Sequence, residues 1–404
     1  MSDILGFTSI TFVFTLTLIA GLLRPNIFRI LFIALILRIV VMLIGHYLVD
    51  LPSSTADARS FERYAWSLAQ SGFFNVMNNY TGPDSKFISW LIAIPYSLFG
   101  RSVLMAQSIS LIFGMSSIYL GWKTAKIIWD VQIANKVAWA IALFPSLILY
   151  SVLVLREVYI SFFLLVALYG VVSWIKNNDF KSLILIFLGF FAATFFHGAM
   201  LVGALTFLTI IGVMSFISFL KLLFKYRIKM KNLKVFLIFV ILSSIYLSGK
   251  ITVTYLGSFE SVSKIDNLLL KTDNSTRGEA SYPEWTKVHS FNELFYKGPI
   301  RSLYFVFSPF PWDVKKPYHL IGLLDAFLYM YLVFLIFQNR KIIWKDPALR
   351  VLLIILLSYL IVFGVGVGNF GTGIRHRTKF TIIFILLAAP LIKRLIFKKN
   401  KKKE

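Results

Sequence analysis

The sequence predicts an all-α, polytopic membrane protein with about eleven transmembrane helices and further amphipathic helices at its outer face. Composition is the first reason: 58% of the 404 residues are hydrophobic and 15% are charged, whereas soluble domains carry about 25% charged residues. The second reason is that apolar stretches of about 20 residues, the length of a membrane-spanning helix, recur along the chain. The third is that Lys and Arg gather in the segments between these stretches.

The predicted spans begin close to the N-terminus. The first lacks the basic start and the small-residue cleavage site of a secretory signal, so we interpret it as a span. The segment 87–100 is set apart, because it is short for a core of about 30 Å and Pro95 interrupts it. The predicted spans are 4–23, 27–49, 102–122, 134–155, 158–175, 183–196, 199–220, 233–247, 318–337, 351–368 and 380–396.

Basic residues indicate which ends of the spans face the cytoplasm. Residues 221–234 hold six basic residues and no acid, and the tail 398–404 holds five Lys. The positive-inside rule places both segments, and the basic cluster at 340–350, in the cytoplasm. Residues 1–3 are not basic, whereas Arg follows the first span, which places the N-terminus outside.

The two ends of the chain agree in orientation only if the segment 87–100 does not cross the membrane, so we expect an interfacial or re-entrant helix there. The result is one transmembrane domain, residues 1–397, followed by the basic cytoplasmic tail 398–404. The polar outer loops 50–101 and 248–317 are expected to carry the functional site.

The formal net charge of +24 would suit nucleic-acid binding or membrane orientation. Because the basic residues lie mostly in the loops predicted to be cytoplasmic, we favour membrane orientation and expect no nucleic-acid partner. The chain has no Cys, which excludes disulfides and thiolate metal ligands.

Asp57 lies in the first outer loop, at the start of a predicted amphipathic helix that Thr55 would cap. One interpretation is that its carboxylate complements the helix dipole. The other is that it acts in catalysis, because bilayer insertion does not require an acid here. The apolar positions that predict the helix are Phe61, Tyr64, Ala65, Leu68 and Ala69.

Other polar residues fall at the same predicted outer boundary. Glu157 follows Arg156 between two spans and is either half of a neutralised pair or a second site acid. His197 lies at the end of a span, and its side chain is interpreted either as packing at the membrane interface or as a catalytic group. Asp325 lies within a span, where an acid is by default a functional candidate, and Arg38 is one possible partner.

A second group of basic residues lies late in the chain. Arg375 and Arg377 flank His376 after a glycine-rich stretch, on the face opposite to the positive-inside bias. Arg277 and Arg301 lie in the long outer loop. Guanidinium groups suit phosphate oxygens, so these five side chains are candidates for binding a substrate phosphate, with plain surface charge as the alternative.

The order of these pieces resembles the GT-C superfamily of integral-membrane glycosyltransferases, in particular its protein O-mannosyltransferase-like branch. The matching motifs are an acid before an amphipathic helix, a Pro-Ser span with an acidic turn, and a Gly-rich, Arg-bearing approach to a late span. They correspond to Ala56-Asp57-Ala58 with Tyr64-Ala65, to Phe144-Pro145-Ser146 with Ser151 and Leu155-Arg156-Glu157, and to Gly371 through Arg377. The segment Ser308-Pro309-Phe310-Pro311-Trp312 is similar to bacterial relatives found among surface-polysaccharide genes.

The resemblance implies a GT-C-like fold and an enzyme that transfers a saccharide from a polyprenyl (di)phosphate, such as undecaprenyl phosphate, by an inverting mechanism. Asp57 would be the base, with Glu157 and His197 beside it. The first loop has a single Asp in place of an Asp-x-Asp motif. Whether the enzyme requires a divalent cation is therefore open, and no cofactor is assigned with certainty. The chain has no soluble outer domain, so we expect a glycan acceptor rather than a large protein.

Two roles remain within this function, both in assembly of lipopolysaccharide O-antigen or capsule at the outer face of a bacterial inner membrane. One is polymerisation of repeat units, with a chain-length regulator as a possible partner, and the other is addition of a single sugar. The alternative from another class is a transporter or flippase of lipid-linked glycans, which predicts internal repeats and broken helices. A structural scaffold is a third interpretation, which leaves the Arg-His-Arg cluster unexplained.

Overall fold

The computed structural model describes residues 2–80, 86–223, 280–316 and 319–393. In these ranges the regular structure is helical, apart from one antiparallel bridge between Ser281 and Asn369. The predicted features that lie outside these ranges include the span 233–247, Arg277 and most of the basic tail region, with all of 398–404.

The N-terminal half contains eleven helices within the described ranges, and one wide helical turn, Ser54–Ala58, leads into the third. They are α1 Ser2–Leu22, α2 Pro25–Tyr47, α3 Arg59–Ala69, α4 Phe73–Asn78, α5 Phe87–Phe99, α6 Val103–Ile128, α7 Val131–Leu143, α8 Pro145–Ser151, α9 Glu157–Asn177, α10 Ser182–Phe196 and α11 Leu201–Leu223. The described part of the C-terminal half adds α12 Phe291–Phe307, α13 His319–Gln338, α14 Arg340–Lys345, α15 Pro347–Gly366, α16 Phe370–Thr378 and α17 Thr381–Ala388.

Seven described helices are long and apolar enough to cross a membrane, or eight if the bent pair α7 and α8 counts as one span. The seven are α1, α2, α6, α9, α11, α13 and α15. Three shorter apolar helices, α5, α10 and the segment Thr381–Leu391, fall below that length. The predicted spans 183–196 and 380–396 correspond to two of these. Eleven crossings therefore remain a prediction, whereas the helical architecture with apolar spans is confirmed.

The break between α7 and α8 is caused by Pro145. Pro145 has no backbone N–H, so it cannot bond the carbonyl of Ile141, and Phe144 adopts an extended conformation. The two helices meet at a bend of 61°. Arg38 of α2, which is buried, stabilises the break by donating to the carbonyls of Ile141 and Ala142 at 3.3 and 2.8 Å.

The same contacts correct one expectation from the sequence. Arg38 does not pair with Asp325, because its guanidinium is engaged by these carbonyls and by the hydroxyl of Ser151 at 3.1 Å. Asp325 instead accepts hydrogen bonds from Arg377.

The amphipathic helix predicted after Asp57 is confirmed as α3, with Ala65 and Ala69 on its buried face. Thr55 does not cap it, because the helical segment begins one turn earlier, after Ser53 at φ 68°. Buried Glu62 joins α3 to its neighbours by accepting hydrogen bonds from Arg101 at 2.8 and 2.9 Å and from the hydroxyl of Tyr96 at 3.0 Å.

The segment 87–100 forms α5, which packs against α3. Its 13 residues would extend about 20 Å, less than the roughly 30 Å of a hydrocarbon core. Since α10 and the segment Thr381–Leu391 are also short, length alone does not separate α5 from them, and its not crossing stays a prediction.

Candidate functional site

Arg375 of α16 joins two acids from distant parts of the chain. Its Nη1 donates to Oδ2 of Asp57, and its Nε donates to Oε1 of Glu157 at 3.0 Å. These partners lie 318 and 218 positions away in sequence. The structure therefore brings together an acid of the first loop, the first residue of α9 and a late guanidinium, as a shared site requires.

Local interactions fix the start of α16, which carries Arg375 in its last turn. The side chain of Asn369 caps the helix by accepting from the backbone N–H groups of Gly371 and Thr372 at 2.8 and 3.3 Å. The preceding backbone is paired with residues 280–282, since Tyr282 donates to Gly368 and Phe370 donates to Ala280. Asn369 and this backbone pairing thus place Arg375 against the start of α9.

The three charged groups form a gradient from the surface to the interior. The Asp57 side chain is 50% exposed, that of Arg375 is 14% exposed and that of Glu157 is 0% exposed. Burial opposes the charge of Arg375, but the two carboxylates outweigh it and raise the pKa of the guanidinium. A ligand that reaches this group would therefore approach from the side of Asp57.

Further basic side chains lie behind Arg375. Lys379 is buried and is hydrogen-bonded through Nζ to Nδ1 of His376, with its ammonium 5.1 Å from the ring of Phe363. The rings of His376 and His197 are 5.3 Å apart, edge to face. Arg156 donates to the carbonyl of Phe196 at 3.3 Å. We call Arg156, His197, Arg375, His376 and Lys379 the basic cluster.

An anion bound to the basic cluster would change the protonation equilibria of His376 and Lys379. Burial lowers the pKa of His376 well below its ordinary value, and the neighbouring Lys379 lowers it further. Burial likewise lowers the pKa of Lys379 well below its ordinary value, against the opposing effect of Glu157. Because an opposite charge nearby favours the protonated form, an anion bound here would raise both pKa values.

Glu157 has one oxygen that Arg375 does not engage. Its Oε2 is buried and has no hydrogen-bond donor in the described part of the chain. Buried acceptors are normally satisfied.

Apolar side chains adjoin these polar groups. Ala58, Tyr150, Leu153 and Leu155 form a small buried cluster of their own, against which Phe61, Leu149, Leu51 and Ile374 pack. Ala58 and Ile374 are the chain neighbours of Asp57 and Arg375, so this buried packing supports the segments that carry the two charged groups.

Two of the predicted phosphate-binding arginines are buried elsewhere. Arg377 directs Nε and Nη2 to Oδ2 of Asp325 at 3.2 and 2.9 Å, and Nη1 to the carbonyls of Val306 and Ser308. It points away from Arg375, because residues two apart lie on opposite sides of a helix. Its donors hold α12 and α13 to α16.

Arg301 of α12 is also buried, and the hydrogen bonds of its guanidinium go to backbone carbonyls. Its Nε, Nη1 and Nη2 donate to the carbonyls of Val365, Thr286 and Val367 at 3.1, 3.1 and 3.0 Å. Arg277 lies outside the described residues. Of the predicted basic residues, the structure thus groups His197, Arg375 and His376, and assigns the contacts of Arg301 and Arg377 to the scaffold.

Lys379 is the site residue that the sequence analysis missed. It follows Arg375 by four positions and His376 by three, the spacing that places side chains on one face of a helix. That periodicity was the available signal. In the described ranges, no group of three or more His, Asp or Glu side chains is placed to hold a metal ion.

No known family model, no curated protein and no solved structure matches this chain. The functional argument therefore depends on the residues of the site themselves.

Proposed function

We propose that the chain is a membrane-embedded glycosyltransferase that transfers a saccharide from a polyprenyl phosphate or diphosphate donor. The observation that carries this proposal is the contact of Asp57 with Arg375 beside the basic cluster. A carboxylate suits the activation of an acceptor hydroxyl, and guanidinium and ammonium groups suit the phosphate that leaves.

The two bonds of Arg375 suggest how the donor would enter. Its Nε is held by buried Glu157, whereas its Nη1 is held by half-exposed Asp57. The donor phosphate competes with Asp57 for Nη1, because both are oxyanions that reach the guanidinium from the open side. Binding of the donor then releases the Asp57 carboxylate at the moment a base is required.

The proposed reaction balances without an additional reactant. The acceptor hydroxyl oxygen forms a bond to C1 of the donor sugar, and the bond from C1 to the phosphate oxygen breaks. Asp57 accepts the hydroxyl proton, and the phosphate keeps the electron pair. Arg375 and Lys379 stabilise the negative charge that develops on that phosphate, while Glu157 holds Arg375 in place through its Oε1.

The wider setting forms part of the same proposal. The chain crosses a bacterial inner membrane eleven times in a GT-C-like arrangement, with the Asp57 face outside and the C-terminus in the cytoplasm. The positive-inside distribution of Lys and Arg supports this orientation. Repeat-unit polymerisation and single-sugar addition for O-antigen or capsule both fit the site, and the acceptor in either role is a glycan.

A transporter of lipid-linked glycans is the second candidate. The observation that favours it is the broken span at Pro145, where α7 and α8 bend by 61° around buried Arg38, because interrupted helices are common at transporter substrate sites. A transporter would move the labelled lipid across a vesicle without changing it, whereas a transferase would produce a new glycoside.

Asp57→Asn provides the test. The purified protein is placed in vesicles with radiolabelled lipid-linked saccharides extracted from the source cells, and products are separated by chromatography. We expect the wild type to form a new glycoside and Asp57→Asn to be at least about 100-fold slower, the usual scale of general-base catalysis. Asp50→Asn is the matched control, because Asp50 is an exposed acid at the start of the same loop and bonds Arg59 rather than Arg375.

Equal rates for Asp57→Asn and the wild type would remove Asp57 as the base. Translocation of unmodified lipid, without product, would favour the transporter.

A further inference from the structure

A second feature of the molecule is an open groove of about 540 Å³ on a different face from the basic cluster. It is formed by α1, α2, α6, α9 and α10, and its lining is almost entirely apolar. The lining includes Leu16 and Ala20 of α1, Leu31 of α2, Met115 of α6, Val166 of α9 and Leu185 of α10.

The length of the groove corresponds to one leaflet of a bilayer. Along α6 its lining runs from Ile112 to Lys123, a separation of eleven positions, which is about 16.5 Å at 1.5 Å per residue. Half of a hydrocarbon core of about 30 Å is about 15 Å. The groove therefore matches a single extended acyl chain and is too short for a chain that crosses both leaflets.

One end of the groove is polar and positively charged. The ammonium of Lys123 lies 4.8 Å from the ring centre of Tyr169, and both residues line the groove together with Tyr119. Tyr at a membrane interface presents a polar tip beside an apolar body. Lys123 is exposed, so its charge is accessible from this end.

More positive charge follows at the same end. Helices α1 and α6 run in the same direction, because Gly6 packs against Leu104 near their starts and Ala20 shares the groove with Lys123 near their ends. Arg24, which lies two residues beyond the end of α1 and precedes α2, is therefore close to the level of Lys123. The apolar channel thus ends at cations, which is the complement of a lipid whose headgroup is an anion.

We propose that this groove binds one anionic phospholipid, with an acyl chain along α6 and α9 and the headgroup phosphate at Lys123. The occupant differs from the substrate of the basic cluster. Ser161 of α9 faces α16, since its hydroxyl bonds the carbonyl of Thr378 at 3.3 Å, whereas Phe162, Val166 and Tyr169 face the groove. The site is therefore separate from the proposed reaction and does not depend on it.

The test measures lipid binding to the full-length protein. Delipidated protein in detergent is titrated with phosphatidylglycerol or with phosphatidylcholine of the same acyl chains, and bound lipid is counted by native mass spectrometry. We expect one phosphatidylglycerol to bind at least about fivefold more tightly than phosphatidylcholine. Lys123→Gln should weaken phosphatidylglycerol by about fivefold, equivalent to the roughly 1 kcal/mol of one interfacial cation.

Lys126→Gln is the matched control. Lys126 lies on the same helix, is exposed and carries the same charge, but it lies against Trp122 and does not line the groove. We expect this variant to bind like the wild type. Ala20→Trp fills the groove with a ring and should weaken both phospholipids alike, since it obstructs the acyl chain rather than the headgroup.

The lipid-induced rise in Tm is the second readout, and each variant is first checked for a wild-type helical spectrum. Equal binding of phosphatidylglycerol to the wild type and to Lys123→Gln would overturn the proposal, and so would lipid binding that Ala20→Trp does not change. Either result would mean that the groove holds only exchangeable lipid of the surrounding bilayer. Preferential binding of a polyprenyl phosphate that Lys123→Gln weakens would also overturn it, because the groove would then belong to the substrate.

Discussion

The Nε atom of Arg375 lies 3.0 Å from Oε1 of Glu157, although 218 positions separate the two residues. Glu157 is fully buried and Arg375 is nearly so, whereas the second acid on the same guanidinium, Asp57, is half-exposed. The bond from Arg375 to Glu157 is therefore structural, whereas the bond from Arg375 to Asp57 can be exchanged for one to a ligand. This difference leads to separate expectations for stability and for binding.

Removal of Arg375 should destabilise the fold through Glu157. We expect Arg375→Gln to cost about 3 kcal/mol, because it leaves a buried carboxylate without its cation. The double variant Arg375→Gln, Glu157→Gln should recover most of that loss, since residue 157 then carries no charge that lacks its partner. Unfolding in a denaturing detergent, followed by circular dichroism, measures all three proteins. Additive losses in the double variant would contradict the pairing.

Stability should depend on pH through His376. Its pKa is held well below the ordinary value of about 6.5, mainly by burial and next by Lys379. Between these two pKa values the unfolded chain binds more protons than the folded one, so stability is full above about pH 6.5 and falls as the pH is lowered.

The measurement is Tm between pH 5 and pH 8 for the wild type and for His376→Asn. The Asn side chain keeps an acceptor for Lys379 but does not titrate, so this variant should lose less Tm on acidification. An equal loss in both proteins would assign the acid sensitivity to another group.

Phosphate binding should take up protons. The pKa values of His376 and Lys379 are lowered by burial, and a bound anion raises them, so protons enter with the ligand at a pH between the free and the bound pKa values. Calorimetric titration with polyprenyl phosphate in two buffers of different ionisation enthalpy reports this uptake. Lys379→Met should reduce both the uptake and the affinity. Binding enthalpies that are the same in both buffers would contradict the linkage.

Arg301 and Arg377 should matter for folding rather than for binding. We expect Arg377→Met to cost about 3 to 5 kcal/mol, because Asp325 would be left buried and unpaired, and Arg377→Met with Asp325→Asn to cost less. Arg301→Met leaves three backbone carbonyls without their donor and should lower Tm as well. In both variants, the folded fraction should bind polyprenyl phosphate with wild-type affinity. A tenfold weaker affinity per folded molecule would return these residues to the phosphate site.

The sequence predicts some of this architecture because local patterns determine it. The apolar periodicity of residues 61–69 was sufficient for α3, and hydropathy was sufficient for the long spans. The grouping of Asp57, Glu157 and Arg375 followed from the expectation that they share one face of the membrane.

The partners of the buried charged side chains depend on tertiary contacts, and the sequence did not reveal those contacts. Arg375 and Arg377 look alike in sequence, yet the turn of α16 directs one to Asp57 and the other to Asp325. Arg38 was a reasonable partner for Asp325 until Pro145 exposed carbonyls that compete for its donors. Only Lys379 was within reach of sequence analysis, from its helical spacing.

Cross-linking of residues 57 and 375 tests the central claim most directly. The chain has no Cys, so Asp57→Cys with Arg375→Cys introduces the only two thiols. Treatment of native membranes with a short bifunctional thiol reagent should join them, and a protease cut between the two positions should then leave one band. Asp57→Cys with Lys123→Cys is the control pair, since Lys123 lies at the far end of the groove lining. Efficient cross-linking of the first pair alone is the predicted result. No cross-linking of that pair in protein with a wild-type helical spectrum, or equal cross-linking of both pairs, would contradict a shared site.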